Sequence, residues 1–149
     1  MSDKSLTSID VTALAAYLDK VKGIASVSKI MGAVYLRDFI IGQDVAGALL
    51  AKSVQADIRA KSALEQAEAV AYLDNASDYL KERNIKDSSE ARKRYVDIDP
   101  GVIAAKDNKA KTEALVSLMK NKLSVLRQAH DSLKKILYGD SYSTPFEGM

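Results

Sequence analysis

The chain contains no cysteine, one histidine, and only two prolines and seven glycines among 149 residues. Without cysteine, a disulfide framework, a thiolate metal site and a cysteine nucleophile are excluded. The scarcity of residues that interrupt helices, together with abundant Ala, Leu, Lys and Glu, favours long helices over a fold of strands and turns. The sequence therefore predicts an all-α protein of the size of one ordinary domain.

Residues suited to catalysis are also few. His130 is the only histidine, and it lies between Leu126 and Leu133 on an apolar stripe, which is typical of a core or interface histidine rather than a general base. No motif marks a serine nucleophile, a glycine-rich phosphate loop or a zinc-binding HExxH pair. Asp97 and Asp99 lack the further ligands of a calcium loop and are interpreted as turn and cap residues. We expect a protein that is not an enzyme and needs no metal or cofactor.

Segments that would direct the chain to a membrane are lacking too. The start, "MSDKSLTSIDVTALAAYLDK", has no long apolar core behind a basic head, so we do not interpret it as a signal peptide. The most hydrophobic stretch, "IASVSKIMGAVYLRDFIIG", carries Lys29, Arg37 and Asp38 within the length of a membrane span. We expect a cytoplasmic protein with no membrane partner.

The first half of the chain contains three predicted helices. Asp10 is a good N-cap for "VTALAAYLDKVK", and Gly23 is a good stop for this short helix. A second helix is predicted over residues 26–41, with Gly42 as its end. Its helical spacing is given by Ile30, Ala33, Val34 and Ile41.

The third predicted helix, residues 44–83, carries a heptad-type seam made largely of alanine. Its positions are Ala46, Leu49, Ser53, Ala56, Ala60, Ala63, Ala67 and Val70. The predicted helix of about 40 residues is roughly 60 Å long at 1.5 Å per residue, and its alanine seam buries little area, so it needs partners along its length. We expect a homo-oligomer; the alternative is an elongated monomer in which two long helices cover each other. The expected oligomer contacts are Ala56, Ala60, Ala63 and Ala67, with Leu123, Leu126 and Leu133 of the last helix.

The second half begins with a break at residues 84–87. Ser88 or Ser89 is then expected to cap a short helix over "EARKRYV", and Pro100 suits the first turn of a long helix that runs from about residue 102 to Tyr138. The apolar stripe of this last helix steps by three and four throughout. It consists of Val102, Ala105, Lys109, Thr112, Val116, Met119, Leu123, Leu126, His130, Leu133 and Leu137.

These patterns predict a helical-bundle protomer with two long antiparallel helices and shorter helices packed on them. Residues 1–138 are expected to form a single domain. Residues 139–149, "GDSYSTPFEGM", are expected to form a flexible tail, with a docking role for Phe146 as the alternative.

The positive charge is concentrated in the second half. Residues 81–138 hold 14 Lys and Arg against 8 Asp and Glu, although the whole chain is only +2. Basic side chains neutralise phosphates, and a neighbouring tyrosine offers a stacking face for an unpaired base. The candidate nucleic-acid-binding residues are therefore Arg92, Lys93, Arg94, Tyr95, Lys106 and Lys109. The alternative is a solvated joint between helices with ordinary ion pairs, because aspartates at 97, 99 and 107 lie close by.

The order of these elements resembles the UvsY-like phage recombination-mediator family. The resemblance covers roughly residues 50–137: a long helix ending in "AYLD", a polar break, "SEARKRYVDIDPGV" and a long C-terminal helix. It implies a small helical protein that assembles into a ring-like homo-oligomer, binds single-stranded DNA, and helps to load a recombinase in exchange for a single-strand-binding protein.

The chain departs from the family pattern at one place. The family has basic residues just before the Leu-Asp at the end of the long helix, where this chain has Val70 and Tyr72, with Glu68 nearby. This departure moves any DNA-binding role to the basic residues that follow. The leading hypothesis is a single-stranded-DNA-binding recombination mediator; the alternative is a non-enzymatic phage-type structural or assembly protein that acts through helix contacts alone.

Overall fold

The computed structural model describes residues 9–139, and every regular element in these residues is helical, which confirms the predicted all-α class. A 3₁₀ turn at Thr12–Leu14 leads into α1, a second at Ile24–Ser26 follows it, and a π-helical turn at Ala71–Asn75 joins α2 to α3. From residue 140 onward, the predicted tail lies outside the described residues. The helices are α1 (Ala15–Val21), α2 (Lys29–Val70), α3 (Ala76–Glu82), α4 (Ser89–Val96) and α5 (Pro100–Tyr138).

The first helix begins and ends near the expected residues. The Asp10 carboxylate accepts hydrogen bonds from the backbone N–H of Thr12 at 2.9 Å and from its hydroxyl at 2.5 Å. These hydrogen bonds hold the pKa of Asp10 below its ordinary value. At the other end, the Gly23 N–H donates to the Lys20 carbonyl at 3.2 Å.

The prediction that Gly42 ends a helix is wrong, because α2 continues through it without interruption to Val70. Glycine inside a helix costs only about 1 kcal/mol relative to alanine, so packing can override it. Here the missing side chain permits a close approach: a Cβ built on Gly42 would lie 3.1 Å from Cβ of Tyr17 and 3.3 Å from Cδ1 of Leu126. Tertiary contact therefore fixes the helix at this position.

The apolar residues from which the helix over residues 26–41 was predicted do not form the buried face of α2. Ile30, Val34 and Ile41 are 84%, 38% and 40% exposed, whereas Phe39 is fully buried. The ring of Phe39 meets that of Tyr35 edge to face, with 6.2 Å between centroids. Beside them, the buried Asp38 pairs with Lys20 of α1. Alpha2 thus carries two apolar faces, of which one is buried within the chain.

The break after α3 and the caps of α4 and α5 are as predicted. Asn84 ends α3 in the left-handed region at φ 53°, a conformation that asparagine tolerates better than most residues. Ser88 caps α4 by accepting from the Ala91 N–H at 3.1 Å. Pro100 is the first residue of α5, and Asp99 accepts from the N–H groups of Gly101 and Val102.

The contacts divide the chain into two compact units. Unit 1 is Met1–Lys52 with Ser117–Met149, of which residues 9–52 and 117–139 are described; unit 2 is Ser53–Val116. In unit 1, Gly32 lies against Leu137 and Gly42 against Leu126, so the segments of α2 and α5 run antiparallel there. In unit 2, Asp57 contacts Lys109 and Thr112.

The stripe predicted for α5 is confirmed, since each of its positions is buried or half-buried. Among the predicted oligomer contacts, Ala60, Leu126 and Leu133 are buried within the single chain, so the structure places them in the core of the protomer. Ala56, Ala67 and Leu123 are half-buried, and Ala63 is exposed. In the described part of the chain, no helix has an apolar stretch long enough for a membrane crossing.

Candidate nucleic-acid interface

Arg92, the first of the predicted phosphate contacts, is engaged inside unit 2. Its Nε and Nη2 donate to the two carboxylate oxygens of Asp87, each at 2.7 Å. Its Nη1 donates to the carbonyl oxygen of Tyr72 at 2.9 Å. The hydrogen bonds to Asp87 raise the pKa of Arg92 and lower that of Asp87. Only 22% of the Arg92 side chain is exposed, so this residue fastens α4 to the π-helical turn.

The next two basic residues of α4 are accessible. Arg94 pairs with Glu90 one turn earlier, at 2.8 Å, and both side chains are about four-fifths exposed (80% and 78%). An exposed pair of this kind contributes little and is easily exchanged for another anion. Lys93 is exposed and lies beside an apolar surface groove that is also lined by Tyr72 and Val96.

Tyr95 does not present a free stacking face. Its ring lies against Tyr79, with 4.7 Å between centroids and 40° between planes. The Arg83 guanidinium covers the Tyr79 ring at 3.8 Å from its centroid. The Tyr95 hydroxyl donates to Asp99 at 2.8 Å, and this hydrogen bond raises the pKa of the tyrosine. The tyrosine predicted to stack on a base is thus part of the packing between α3 and α4.

Asp99 is the hub of this packing. One of its carboxylate oxygens accepts from Tyr95 and from Asn75 Nδ2 at 3.2 Å, and the other caps α5 through Gly101 and Val102. Burial raises the pKa of the Asp99 carboxyl, but the hydrogen bonds from these four residues outweigh it. The pKa therefore lies below its ordinary value of 3.8. Asp99 is only 4% exposed, so its role is structural.

The two predicted lysines of α5, Lys106 and Lys109, differ in exposure and in how fully they are paired. Lys106 is half-exposed and lies 3.6 Å from Asp97. Lys109 is 18% exposed and donates to Asp57 at 2.9 Å and to Glu113 at 2.5 Å. The hydrogen bond to Glu113, and then that to Asp57, raises the pKa of Lys109. Asp57 also accepts from the Thr112 hydroxyl at 2.7 Å, and the hydrogen bonds from Thr112 and Lys109 lower its pKa. The charge of Lys109 is therefore balanced within unit 2.

The balance of charge differs between the two units. Unit 2 holds 11 Lys and Arg against 12 Asp and Glu, a net −1. Unit 1 holds 11 Lys and Arg against 8 Asp and Glu over its full sequence, a net +3, and 10 against 5 in its described residues. The predicted cluster at residues 92–109 thus lies in the unit without a positive excess. The positive excess of the chain belongs to unit 1, and a summed positive charge of this kind is what concentrates anions at a surface.

Most of the excess in unit 1 comes from α5. Lys120, Arg127 and Lys134 recur at intervals of seven residues and therefore share one helix face, which Lys135 extends; we call these four residues the cation face. Lys120, Arg127 and Lys135 are exposed and form no ion pair within residues 9–139. Successive members of the heptad lie roughly 10 Å apart along the axis, so their fields overlap at ordinary salt.

Two further residues lie on the cation face. Asp131, the one acid in residues 117–139, is one turn from both Arg127 and Lys135, and its carboxylate lies 3.3 Å from Nδ1 of His130. Tyr138 follows on the same face and is 46% exposed. The cation face was missed from sequence because its residues are spaced seven apart, whereas Arg92, Lys93 and Arg94 are adjacent.

The described residues contain no group of three or more His, Asp or Glu side chains arranged to hold a metal ion. His130 is half-buried on α5, as its position on the apolar stripe predicts. Comparison with protein-family models, with curated proteins and with solved structures finds no match to this chain.

Proposed function

We propose that this protein binds single-stranded DNA through the cation face of α5 and has no catalytic role of its own. The observation that carries the proposal is the set of exposed cations, Lys120, Arg127 and Lys135, without an ion-pair partner in residues 9–139. A cation that is not already paired breaks no ion pair when it meets a phosphate, and each such contact releases a counterion. Among the predicted cations of unit 2, Arg92, Arg94, Lys106 and Lys109 must first leave Asp87, Glu90, Asp97 and Asp57, respectively; Lys93 forms no ion pair within residues 9–139 but stands in a unit with no positive excess.

A single strand is favoured over a duplex by Tyr138. Tyr138 is 46% exposed and lies on the cation face, three residues after Lys135. An exposed aromatic ring beside cations is the combination that stacks an unpaired base while the backbone is neutralised. We further propose that the bound protein helps to load a recombinase in exchange for a single-strand-binding protein. This part of the proposal rests on the resemblance of residues 50–137 to the UvsY-like family.

The proposal is tested by fluorescence anisotropy with a labelled single-stranded oligonucleotide over a salt series. Wild-type affinity is expected to fall steeply as salt increases. The variant Lys120→Ala/Arg127→Ala/Lys135→Ala is expected to bind at least about tenfold more weakly at low salt. The slope of log K against log salt should become shallower by about 2, since each contact to a single strand contributes about 0.7.

A matched control removes three exposed cations from unit 2, as Lys93→Ala/Arg94→Ala/Lys106→Ala. It changes the net charge equally, so a loss that follows total charge alone would affect both variants alike. We expect the control to retain the wild-type slope to within about one unit. Absence of wild-type binding at low salt would refute the proposal, and a larger loss in the control would assign the interface to residues 93–106 instead. Unlabelled duplex and RNA competitors establish the preference for a single DNA strand.

The alternative, a structural or assembly protein that acts through helix contacts alone, has one specific observation in its favour. Alpha2 exposes a row of apolar residues, including Ile30, Val34 and Ile41, that no other part of the described chain covers. Oligomers that form at all salt concentrations, in a protein that binds no oligonucleotide, would favour this alternative.

A further inference from the structure

A second heptad seam runs along the solvent side of α2. Its positions alternate steps of four and three, the spacing of a surface that packs against another helix. All six members are exposed, although three of them are large apolar side chains and one is alanine. We call this surface the outer seam: Ile30, Val34, Arg37, Ile41, Asp44 and Ala48.

The two charged members of the outer seam have opposite signs and lie one heptad apart. Asp44 is exposed and forms no ion pair within residues 9–139. The Arg37 side chain is 71% exposed, and its nearest carboxylate, that of Asp38, is 3.9 Å away and already held by Lys20. Both charges are therefore available to a partner that presents the opposite sign in the opposite order.

We propose that the outer seam is a self-complementary interface at which two copies of this chain pair with their α2 helices antiparallel. The midpoint between Arg37 and Asp44 falls between Ile40 and Ile41. A twofold axis there brings Arg37 of each copy beside Asp44 of the other, and the two contacts are equivalent by symmetry. A parallel pair would instead set like charges against each other.

The apolar members fit the same arrangement. Ile41, 40% exposed, lies next to the axis and meets Ile40 of the second copy, which flanks the outer seam and is 51% exposed. Val34 and Ala48 lie seven residues on either side of Ile41, so large side chains of one copy face the small alanine end of the other. Burial of these side chains supplies the affinity, and the Arg37–Asp44 pairs fix the direction.

The test is sedimentation equilibrium of the full chain, without nucleic acid, over micromolar to submillimolar concentrations. Wild type is expected to show a concentration-dependent monomer–dimer equilibrium. Arg37→Asp and Asp44→Arg should each raise the dimer dissociation constant by at least about tenfold, because like charges then meet at the interface. The double variant Arg37→Asp/Asp44→Arg restores complementarity and should regain most of the affinity. Asp19→Arg, at an exposed acid of α1, is the matched control and should leave dimerisation unchanged.

Recovery in the double variant is the decisive result, because a merely structural effect of either single change would not be reversed by the other. A wild type that stays monomeric at every concentration overturns the proposal, as do single variants that dimerise like wild type or a double variant without recovery. Because the experiment contains no DNA, its failure leaves the proposed DNA-binding function untouched.

Discussion

Replacing Phe39 with alanine is expected to lower the free energy of unfolding by about 3–5 kcal/mol, the range for removing a buried aromatic ring from a core. Phe39 is fully buried in unit 1 and packs against Tyr35. Removing the ring leaves a cavity in the core beside α2, and the loss of its contacts adds to the lost burial. Urea unfolding followed by circular dichroism measures the change.

Ile30→Ala in the same helix is the control for this prediction. Ile30 is 84% exposed, so its truncation should change the free energy of unfolding by no more than about 0.5 kcal/mol. Both experiments belong at low protein concentration, where the outer seam is unpaired. If Ile30→Ala proved as costly as Phe39→Ala, the face of α2 that packs within the chain would have been assigned wrongly.

Replacing Asp99 with alanine is expected to destabilise unit 2 by about 2–4 kcal/mol. The substitution removes the cap of α5, worth about 0.5–2 kcal/mol, and leaves the half-buried Tyr95 hydroxyl without its acceptor, at a cost of about 1–3 kcal/mol. Asp99→Asn retains one oxygen for the cap, but the amide nitrogen that replaces the other oxygen accepts from neither Tyr95 nor Asn75, so an intermediate loss is expected. The neighbouring Asp97→Ala, at an exposed residue, should cost less than about 0.5 kcal/mol.

The pH dependence of stability provides a second measurement at Asp99. Its pKa in the folded protein lies below the ordinary value of 3.8, so the unfolded chain binds the proton more tightly. The ionised carboxylate therefore contributes its full stability above pH 3.8. That contribution is lost as the pH falls below 3.8 and through the folded-state pKa. Asp99→Asn should show a smaller loss between pH 5 and pH 3 than wild type, and an equal loss in both proteins would contradict the account.

Much of the fold follows from local patterns. The helix starts at Ser88 and Pro100 were predictable because the residues that begin a helix are adjacent to it; the N-cap predicted at Asp10 is wrong by one position, since Val11 is the N-cap and Asp10 hydrogen-bonds Thr12 instead. The apolar stripe of α5 was predictable because it has a single period over its whole length. Because α5 has one apolar face and one polar face, the sequence alone indicates which side is buried.

Alpha2 was harder to predict because it has two seams. The alanine seam that begins at Ala46 continues backwards through Gly42, Phe39 and Tyr35, again in steps of three and four, and these positions are buried or half-buried. In the sequence, Gly42 looks like the end of a helix. In the structure it allows close packing, since Tyr17 occupies the space that a side chain would need. Only the tertiary contact distinguishes a glycine that ends a helix from one that admits a neighbour.

The basic cluster at residues 92–109 could not be interpreted from sequence for a related reason. The acid that neutralises Lys109 is Asp57, 52 residues earlier in the chain, and the carbonyl that holds Arg92 belongs to Tyr72, 20 residues earlier. Contiguous basic letters indicate a charged surface only when no distant acid folds against them. The members of the cation face, in contrast, are mostly separated in the sequence, and only the periodicity of the helix brings them onto one face.

The most direct test of the central claim is a lysine-acetylation footprint of the protein with and without single-stranded DNA, quantified for each residue by mass spectrometry. The account predicts that DNA protects Lys120 and Lys135, while Lys93 and Lys106 react as in the free protein. The unaltered protein is used, so no substitution can disturb the fold. Protection of Lys93 and Lys106 with no change at Lys120 and Lys135 would contradict the assignment of DNA binding to α5.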